Sequence, residues 1–545
     1  MIFDTQSGET RGDEARERTP WYHSWPVVLA ACVLAPPLGL VLLLTRPGHE
    51  FKVLGAMLVL VLGATYAYLL FGPRRATAPS TEAHYAELER HRAAQHNQPA
   101  PAGEAPAAAA ADPQAAPAAA AAVDPAAQAA APGAQAVDPA AQPAAPAAGQ
   151  PAAAPAPAAP ARRNYWTNFR GPARDGRYDE QPIRTNWQGG LTQLWKQPSG
   201  GGYGSFSVAD GVAFTIEQRR AQEVVAAYNV ENGRELWTHA WDALYTDQTG
   251  DGPRATPTWH EGRLYALGAL GELRCLDARS GKLIWSKNIL KDNGASNIQW
   301  GMAASPLVVD DKVVVIPGGS NGKSVVAYNA RTGERVWGAL GDAASYTSPM
   351  LVTLAGRRQI LAVTARSVAG LAPEDGSVLW VFPWANSIGI NVAQPIVVGP
   401  SRFFVSAGYG KGAALVELRD AGGKLSAASV WERASMKNKF NSSVFLDGYV
   451  YGLDEGMLTC VDVATGEQKW KARGYGYGQV TLASGHLIVT TEEGEIALVR
   501  ATPAGHTELS RFPALEGRTW NCPAIAGGRL LVRNATQMAC YKLSD

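Results

Sequence analysis

Short apolar segments recur along the sequence. Eight residues that come shortly before these segments have side chains able to bind a ligand. They are Tyr203, Arg254, Trp300, Tyr346, Asn391, Lys439, Tyr477 and Trp520. Aromatic rings stack on flat or extended ligands, and cations such as Arg254 and Lys439 hold anionic groups. These residue types therefore predict a polar and aromatic binding site. The alternative is that the rings simply fill a channel, which would need the same composition.

The loop DALYTDQTGDGPR carries a second candidate site, since its Asp247 and Asp251 lie near glycines. Oxygen-rich loops of this kind bind Ca²⁺, although the spacing of an EF-hand is absent here. A solvated turn is the alternative. The histidines form no HxH or HExxH pattern and there is no local Ser-His-Asp signature, so the chain predicts no other metal site and no hydrolase.

Cysteine usage and charge exclude further classes of function. The chain has 5 cysteines and none lies in a Cys-x-x-Cys pair, which argues against a zinc site and against a disulfide framework. Cys275, Cys460 and Cys540 occupy equivalent repeat positions, and we expect them to be small buried core residues rather than reactive thiols. Lys plus Arg number 49 and Asp plus Glu 48, so no basic field points to nucleic acid.

The element that must position the candidate residues is a repeat that ends on tryptophan. Its clearest copies end at Trp237, Trp285, Trp337, Trp380 and Trp470, and in each the tryptophan comes four residues after a glycine. Glycine permits the positive φ of a tight turn, and the strand after it returns the aromatic ring to one face of a sheet. The pattern predicts a β-hairpin that must stack on its copies, with tryptophans that pack one unit on the next.

Eight units of this kind follow one another along the chain, and each opens on a short strand. These strands begin near Ser205, Thr256, Ser305, Ser348, Gln394, Ser442, Gln479 and Cys522. Four strands in roughly 40 to 50 residues match one blade of a β-propeller. Unit five ends at Trp431 after a longer turn, and unit seven has Leu509 in place of the tryptophan.

The last unit has only three strands, whereas residues 191–197, LTQLWKQ, have the strand and tryptophan ending but no unit of their own. We therefore predict an all-β, eight-bladed β-propeller over residues 164–545, in which residues 191–197 complete the last blade. Closing the ring in this way removes exposed sheet edges. Seven blades with an irregular insert is the alternative.

The repeat resembles the quinoprotein-like (PQQ-repeat) β-propeller superfamily, which includes quinoprotein alcohol dehydrogenases and the propeller lipoprotein of the outer-membrane β-barrel assembly machinery. The leading box FRGPARDG and the phrases GPRATPT and RGYGYG are similar to a bacterial branch of PQQ-binding-like repeat proteins. For the dehydrogenases, the resemblance implies PQQ held over a tryptophan, a disulfide between adjacent cysteines, and Ca²⁺ bound by Glu, Asn and Asp. This chain has no Cys-Cys pair, and that ligand set matches no identifiable residues.

These departures favour a non-enzymatic binding or scaffold module with no certain cofactor, because a fold alone does not carry chemistry. The alternative is a PQQ- and Ca²⁺-dependent oxidoreductase that acts on an alcohol or a sugar.

The chain before the propeller divides into three parts. Residues 1–24 are a polar tail, and two apolar segments, 25–44 and 53–71, are each long enough to cross a bilayer as one arm of a helical hairpin. Residues 72–163 begin as a short polar stalk, for which a helix is one interpretation, and continue as an Ala- and Pro-rich linker. Because the linker lacks large apolar side chains and has frequent prolines, we expect a disordered tether.

The two indications of membrane side disagree. Arg11, Arg16, Arg18, Arg74 and Arg75 flank the hairpin outside its loop, so the positive-inside rule predicts a cytoplasmic propeller. Resemblance to exported proteins predicts a periplasmic one. The expected partners are the bacterial inner membrane and, at the channel mouth, a protein or a small-molecule ligand.

Overall fold

The structure is a computed structural model that describes residues 81–97 and 165–544. The predicted membrane segments 25–44 and 53–71 and the Ala- and Pro-rich linker lie outside the described residues. The chain divides into two compact units, Met1–Thr81 and Glu82–Asp545, and the propeller described below belongs to the second unit. Within the part of the chain that the structure describes, no helix is long and apolar enough to cross a membrane.

The first two strands of the propeller, β1 (Arg177–Tyr178) and β2 (Thr192–Pro198), join its last two blades. Blades 1 to 4 contain, in order, β3 (Ser207–Ala209), β4 (Val212–Arg219), β5 (Gln222–Asn229) and β6 (Glu235–Asp242); β7 (Thr258–His260), β8 (Arg263–Leu267), β9 (Glu272–Asp277) and β10 (Leu283–Asn288); β11 (Leu307–Val309), β12 (Lys312–Val315), β13 (Val325–Asn329) and β14 (Arg335–Ala339); β15 (Met350–Leu354), β16 (Arg357–Val363), β17 (Ser367–Leu371) and β18 (Val378–Pro383).

Blades 5 to 8 contain β19 (Ile396–Gly399), β20 (Arg402–Ala407), β21 (Gly412–Ala421) and β22 (Lys424–Arg433); β23 (Val444–Leu446), β24 (Tyr449–Asp454), β25 (Met457–Asp462) and β26 (Gln468–Ala472); β27 (Gln479–Ala483), β28 (His486–Thr490), β29 (Glu495–Arg500) and β30 (Glu508–Pro513); β31 (Ala524–Ala526), β32 (Arg529–Arg533) and β33 (Gln537–Lys542). The described residues also form two helices, α1 (Thr81–His96) and α2 (Ile289–Asn293).

The ring closes through β2, which supplies the fourth strand of blade 8. It pairs antiparallel with β33, in a register that places Thr192 opposite Lys542 and Trp195 opposite Cys540. The eight-bladed arrangement and the closing role of residues 191–197 are therefore confirmed, and the seven-bladed alternative is wrong. The short strand β1 adds in parallel to β27, so blade 7 has five strands.

The repeat tryptophans join neighbouring blades, as predicted. Trp285 is 9% exposed, and its indole nitrogen donates a hydrogen bond to the carbonyl of Ala330 in the next blade at 3.1 Å. Its ring covers Gly333, where a Cβ atom would lie 2.8 Å from the indole. The same joint recurs where Trp195, Trp237, Trp337 and Trp431 cover Gly233, Gly281, Gly376 and Gly466. The turn glycine thus supplies room for a neighbouring ring as well as a positive φ.

Three blades depart from this joint. Trp470 of blade 6 donates to the carbonyl of Thr502 in blade 7 at 2.7 Å, but none of the described glycines lies under its ring. Trp380 faces blade 5, whose strands β21 and β22 form a long hairpin without the repeat turn. The indole nitrogen of Trp380 therefore donates a hydrogen bond within blade 4, to the Gln359 side chain at 2.6 Å. In blade 7, Leu509 is 38% exposed, and Phe512 packs edge-on against Tyr541 of blade 8 at 5.3 Å instead.

The FRGPARDG box closes one end of the central channel. Arg174 donates hydrogen bonds to the carbonyls of Ser305 and Pro349, both at 3.0 Å, which belong to the segments leading into blades 3 and 4. Arg170 reaches the carbonyls of Ser443 and Val480 in blades 6 and 7 at 2.7 and 3.3 Å. A segment that bonds to blades around the ring must lie across the channel. We call residues 166–176 the plug.

The cysteines are core residues, as expected. Cys275, Cys460 and Cys540 are fully buried and free, and burial raises the pKa of each thiol to about 12. Such thiols stay protonated and unreactive at neutral pH.

Candidate binding site at the channel mouth

A cup opens at the channel end opposite the plug. The segments that lead from the last strand of one blade to the first strand of the next supply its walls. Five aromatic residues line it, namely Tyr203, Trp300, Tyr346, Phe440 and Trp520. Phe169 of the plug lines it too, so the plug forms the floor of the cup.

The rings form two groups. Trp520 lies 4.7 Å from Phe440 and 5.5 Å from Tyr203, measured between ring centroids. Trp300 lies 5.6 Å from Tyr346. The phenol of Tyr346 accepts a hydrogen bond from the Trp300 amide at 3.1 Å, and burial raises its pKa to about 12. The Tyr203 phenol and the Trp520 indole nitrogen are also bonded within the protein, to the Thr249 carbonyl and the Glu492 carboxylate. Tyr203, Tyr346 and Trp520 therefore offer their rings, rather than their polar atoms, to a ligand.

Three cations lie over these rings. Arg254 lies 5.4 Å from the Tyr203 ring, and burial lowers the pKa of its guanidinium. The Lys439 ammonium lies 5.1 Å from the Phe440 ring, and Arg518 lies 4.5 Å from the Trp520 ring. Within residues 81–97 and 165–544, none of the three cations forms an ion pair with a carboxylate. None of the described residues that line the cup is acidic. The mouth therefore favours an anionic group.

Asn441 adds a hydrogen-bond donor that the protein leaves unused. The residue is 2% exposed and lines the cup. Its side-chain oxygen accepts a hydrogen bond from the Asn438 amide at 2.8 Å, whereas its own Nδ2 has no partner. A buried donor without an acceptor costs free energy, so a ligand oxygen at this point would be stabilising.

The predicted residues divide between the cup and its surroundings. Tyr203, Arg254, Trp300, Tyr346 and Trp520 line it together. Lys439 and Tyr477 lie beside it, against Phe440. Asn391 is 1% exposed and donates hydrogen bonds to the carbonyls of Thr364 and Trp384, so it holds the backbone of blade 4 and is not in the wall.

The carboxylates of Asp247 and Asp251 accept hydrogen bonds from their own loop. Asp247 accepts from the Thr249 amide at 2.7 Å, and Asp251 accepts from the Asp247 amide at 3.2 Å. In the described ranges, no group of three or more His, Cys, Asp or Glu side chains could hold a metal ion. Calcium binding by this pair stays a prediction.

Phe169, Asn441 and Arg518 were not among the predicted site residues. The available signal for Phe169 was the FRGPARDG box, a polar and glycine-containing segment that belongs to no blade. Asn441 stands at a repeat position where the other units place mostly small residues, and it could have been noticed as one of the two amides there.

A family model described as outer membrane protein assembly factor BamB matches residues 220–472. The propeller is BamB-like. A BamB from Shewanella oneidensis is 22% identical over 311 residues, which covers 54% of this chain and 75% of that protein.

Two further relatives complete the comparison of this BamB-like propeller. A 1-butanol dehydrogenase (cytochrome c) from Thauera butanivorans is 30% identical over 118 residues, covering 21% of this chain and only 16% of the dehydrogenase. The crystal structure of BamB from Moraxella catarrhalis matches 65% of this chain and 100% of its own, with 16% identity and a TM-score of 0.47.

Proposed function

We propose that this BamB-like propeller is a membrane-anchored scaffold or binding module whose cup takes a partner segment or ligand that presents a flat apolar group beside an acidic one. The observation that carries the proposal is the combination of open ring faces with three unpaired cations over them. The unused donor of Asn441 supports the same ligand chemistry.

The lining of the cup favours binding over catalysis. Among the described residues that form it there is no His, Asp, Glu or Lys, so no side chain there is suited to proton transfer near neutral pH. The lining also contains the Cys522 thiol, but burial raises its pKa to about 11 and it donates to Gln479 at 3.1 Å. A thiol held in this way is a poor nucleophile.

PQQ with Ca²⁺ is the alternative that the dehydrogenase relative suggests, and the cup does not fit it. Calcium requires several oxygen ligands, usually carboxylates, whereas the described lining of the cup contains no carboxylate. The sequence also lacks the pair of adjacent cysteines. We therefore derive no quinone-dependent step.

Anchoring by residues 25–44 and 53–71 in the bacterial inner membrane belongs to the same proposal, and its support is their length and apolar composition. Protease added to intact spheroplasts distinguishes the two sides of the membrane. Digestion of the propeller places it in the periplasm, and protection until the membrane is lysed places it in the cytoplasm.

A pair of matched peptides tests the ligand chemistry of the cup. The full chain is titrated calorimetrically with an acetylated pentapeptide that carries tryptophan between two aspartates, and with a counterpart that carries tryptophan between two lysines. We expect only the acidic peptide to bind. Arg254→Ala and Trp520→Ala should each weaken it by about tenfold or more, as interface anchors do.

The control variant is Arg358→Ala, which removes an exposed pair with Asp310 far from the cup and should bind normally. Equal affinity for the two peptides, or equal binding by all variants, would contradict the proposal. Dye-linked oxidation of an alcohol by the chain with added PQQ and Ca²⁺ would overturn the scaffold assignment itself.

A further inference from the structure

Helix α1 lies in a groove between the ring-closing strand β2 and blade 1. Tyr85 and Leu88 are 7% and 1% exposed there. His84 Nε2 lies 2.8 Å from the carbonyl oxygen of Ser199, directly after β2. Gln95 donates to Gln197 at 2.8 Å. The polar segment before the linker is thus a docked helix, which we call the clamp helix.

Charge complementarity completes the contact. Arg92 is 5% exposed, lies 4.8 Å from the Tyr228 ring, and pairs with Glu235 at 3.4 Å. On the exposed side, Arg220 pairs with Glu82 and Glu89 at 2.7 and 2.6 Å. Glu235 also pairs with Arg219, so the carboxylate keeps a partner when Arg92 leaves.

A continuous set of contacts connects this groove with the rim of the cup. The backbone of Gly201, two residues beyond Ser199, exchanges hydrogen bonds with that of Gln218 at 3.0 and 2.7 Å. The Gln218 side chain donates to the carbonyl of Ala243 at 2.8 Å and accepts from the Tyr245 amide at 3.4 Å. Those two residues begin the loop 243–254, which ends at Arg254 in the cup.

The contact has the composition of a reversible one. The clamp helix has 16 residues, a length that is marginal for a helix alone in water. It buries two large apolar side chains, and its other buried groups are the polar His84 and Arg92. Groups of this kind exchange protein contacts for water at modest cost.

We propose that helix α1 is a detachable clamp that holds the ring-closing strand β2 and, through Gly201 and Gln218, the rim loop 243–254. With the helix docked, the strand and loop are ordered together. With the helix released, both exchange with solvent more readily, while blades on the other side of the ring are unaffected.

Hydrogen exchange measured by mass spectrometry on the full chain tests the clamp. In the double variant Leu88→Asp, Arg92→Ala, residues 82–97 should exchange at least about tenfold faster, as expected for a locally opened segment. Residues 192–203 and 243–254 should also exchange faster, whereas residues 350–383 of blade 4 should match the wild type. Both changes lie on the helix, outside the blades.

Arg90→Ala is the matched control, since this exposed arginine bonds back to Ala86 of its own helix, and it should leave all three segments unchanged. Arg220→Ala is a milder release variant and should shift the same three segments by less. Unchanged exchange of residues 82–97 in both release variants would overturn the clamp. Release of the helix without faster exchange in 192–203 and 243–254 would overturn its coupling to the rim. No ligand enters these measurements, so failure of the proposed ligand chemistry would leave their outcome intact.

Discussion

At the scale of single residues, the joint between blades depends on a tryptophan and on the absence of a side chain opposite it. Trp237 covers Gly281 and donates to the carbonyl of Ala278 at 3.2 Å. Gly281 also has φ of 72°, so this residue must both adopt a positive φ and leave room for the Trp237 ring. A second glycine, Gly262, has φ of 75° but open space where its Cβ would lie. A substitution at Gly262 therefore tests backbone strain alone, whereas a substitution at Gly281 tests strain together with loss of the tryptophan joint.

We predict that Gly281→Ala is more destabilising than Gly262→Ala. Both variants force alanine into the left-handed region, which costs about 1 kcal/mol. Only Gly281→Ala also pushes against the Trp237 ring, and overpacking of this kind adds about 1 to 3 kcal/mol. Thermal unfolding followed by circular dichroism measures the difference. Equal melting temperatures would show that the joint contributes nothing beyond the turn.

At the scale of elements, the plug links blades that are not neighbours in the chain. Arg174 is fully buried, and burial lowers the pKa of its guanidinium to about 9, so it stays charged at neutral pH. Backbone carbonyls, the Asn168 side chain and the Thr258 hydroxyl solvate it. The planar fork of arginine suits several carbonyls at once. The plug thereby fixes the distance between blades and the height of Phe169 under the cup.

Arg174→Met should lower the free energy of unfolding by about 2 to 5 kcal/mol, because several buried carbonyls lose a charged donor. Arg177→Met is the control: this partly exposed residue donates to a single carbonyl, that of Phe445, at 2.9 Å. We expect Arg177→Met to lower the free energy of unfolding far less than Arg174→Met does. Denaturant unfolding of the two variants measures the contrast, and similar midpoints would refute a structural role for the plug.

At the scale of the whole molecule, the ring is a chain of blades, and its two ends meet within blade 8 at the non-covalent ladder between β2 and β33. Trp195 on β2 docks on blade 1 through the Val230 carbonyl at 2.8 Å, as Trp285 docks on blade 3. The two joints have the same chemistry and similar burial. They differ in that no covalent turn joins β2 to its blade 8 neighbour β33, which lies at the other end of the propeller sequence.

Trp195→Ala should therefore accelerate unfolding more than Trp285→Ala, although each removes a similar contact worth about 3 to 5 kcal/mol. The physical reason is that opening of the ring can begin between two neighbouring strands that no covalent turn connects. Unfolding rates after a jump into denaturant give the comparison. Identical rates for the two variants would mean that the ring does not open first at β2.

The sequence by itself determined the blades, because their information is local. A glycine turn, strand alternation and a tryptophan four residues on repeat in register, and the missing fourth strand of the last blade pointed to residues 191–197. The packing role of the tryptophans followed from their repetition. Four rings and one cation of the lining, Tyr203, Trp300, Tyr346, Trp520 and Arg254, were among the predicted residues because strand starts converge at a propeller mouth.

Only the tertiary structure decided which other side chains reach the cup and which segments brace it. Asn391 resembled a site residue by position, yet its side-chain nitrogen donates to the carbonyls of Thr364 and Trp384 and holds the backbone there. Phe169 enters the cup because Arg170 and Arg174 bond to blades distant in sequence. The clamp helix docks in the groove between β2 and blade 1. Contacts of this kind depend on three-dimensional packing between separated segments, for which local spacing carries no signal.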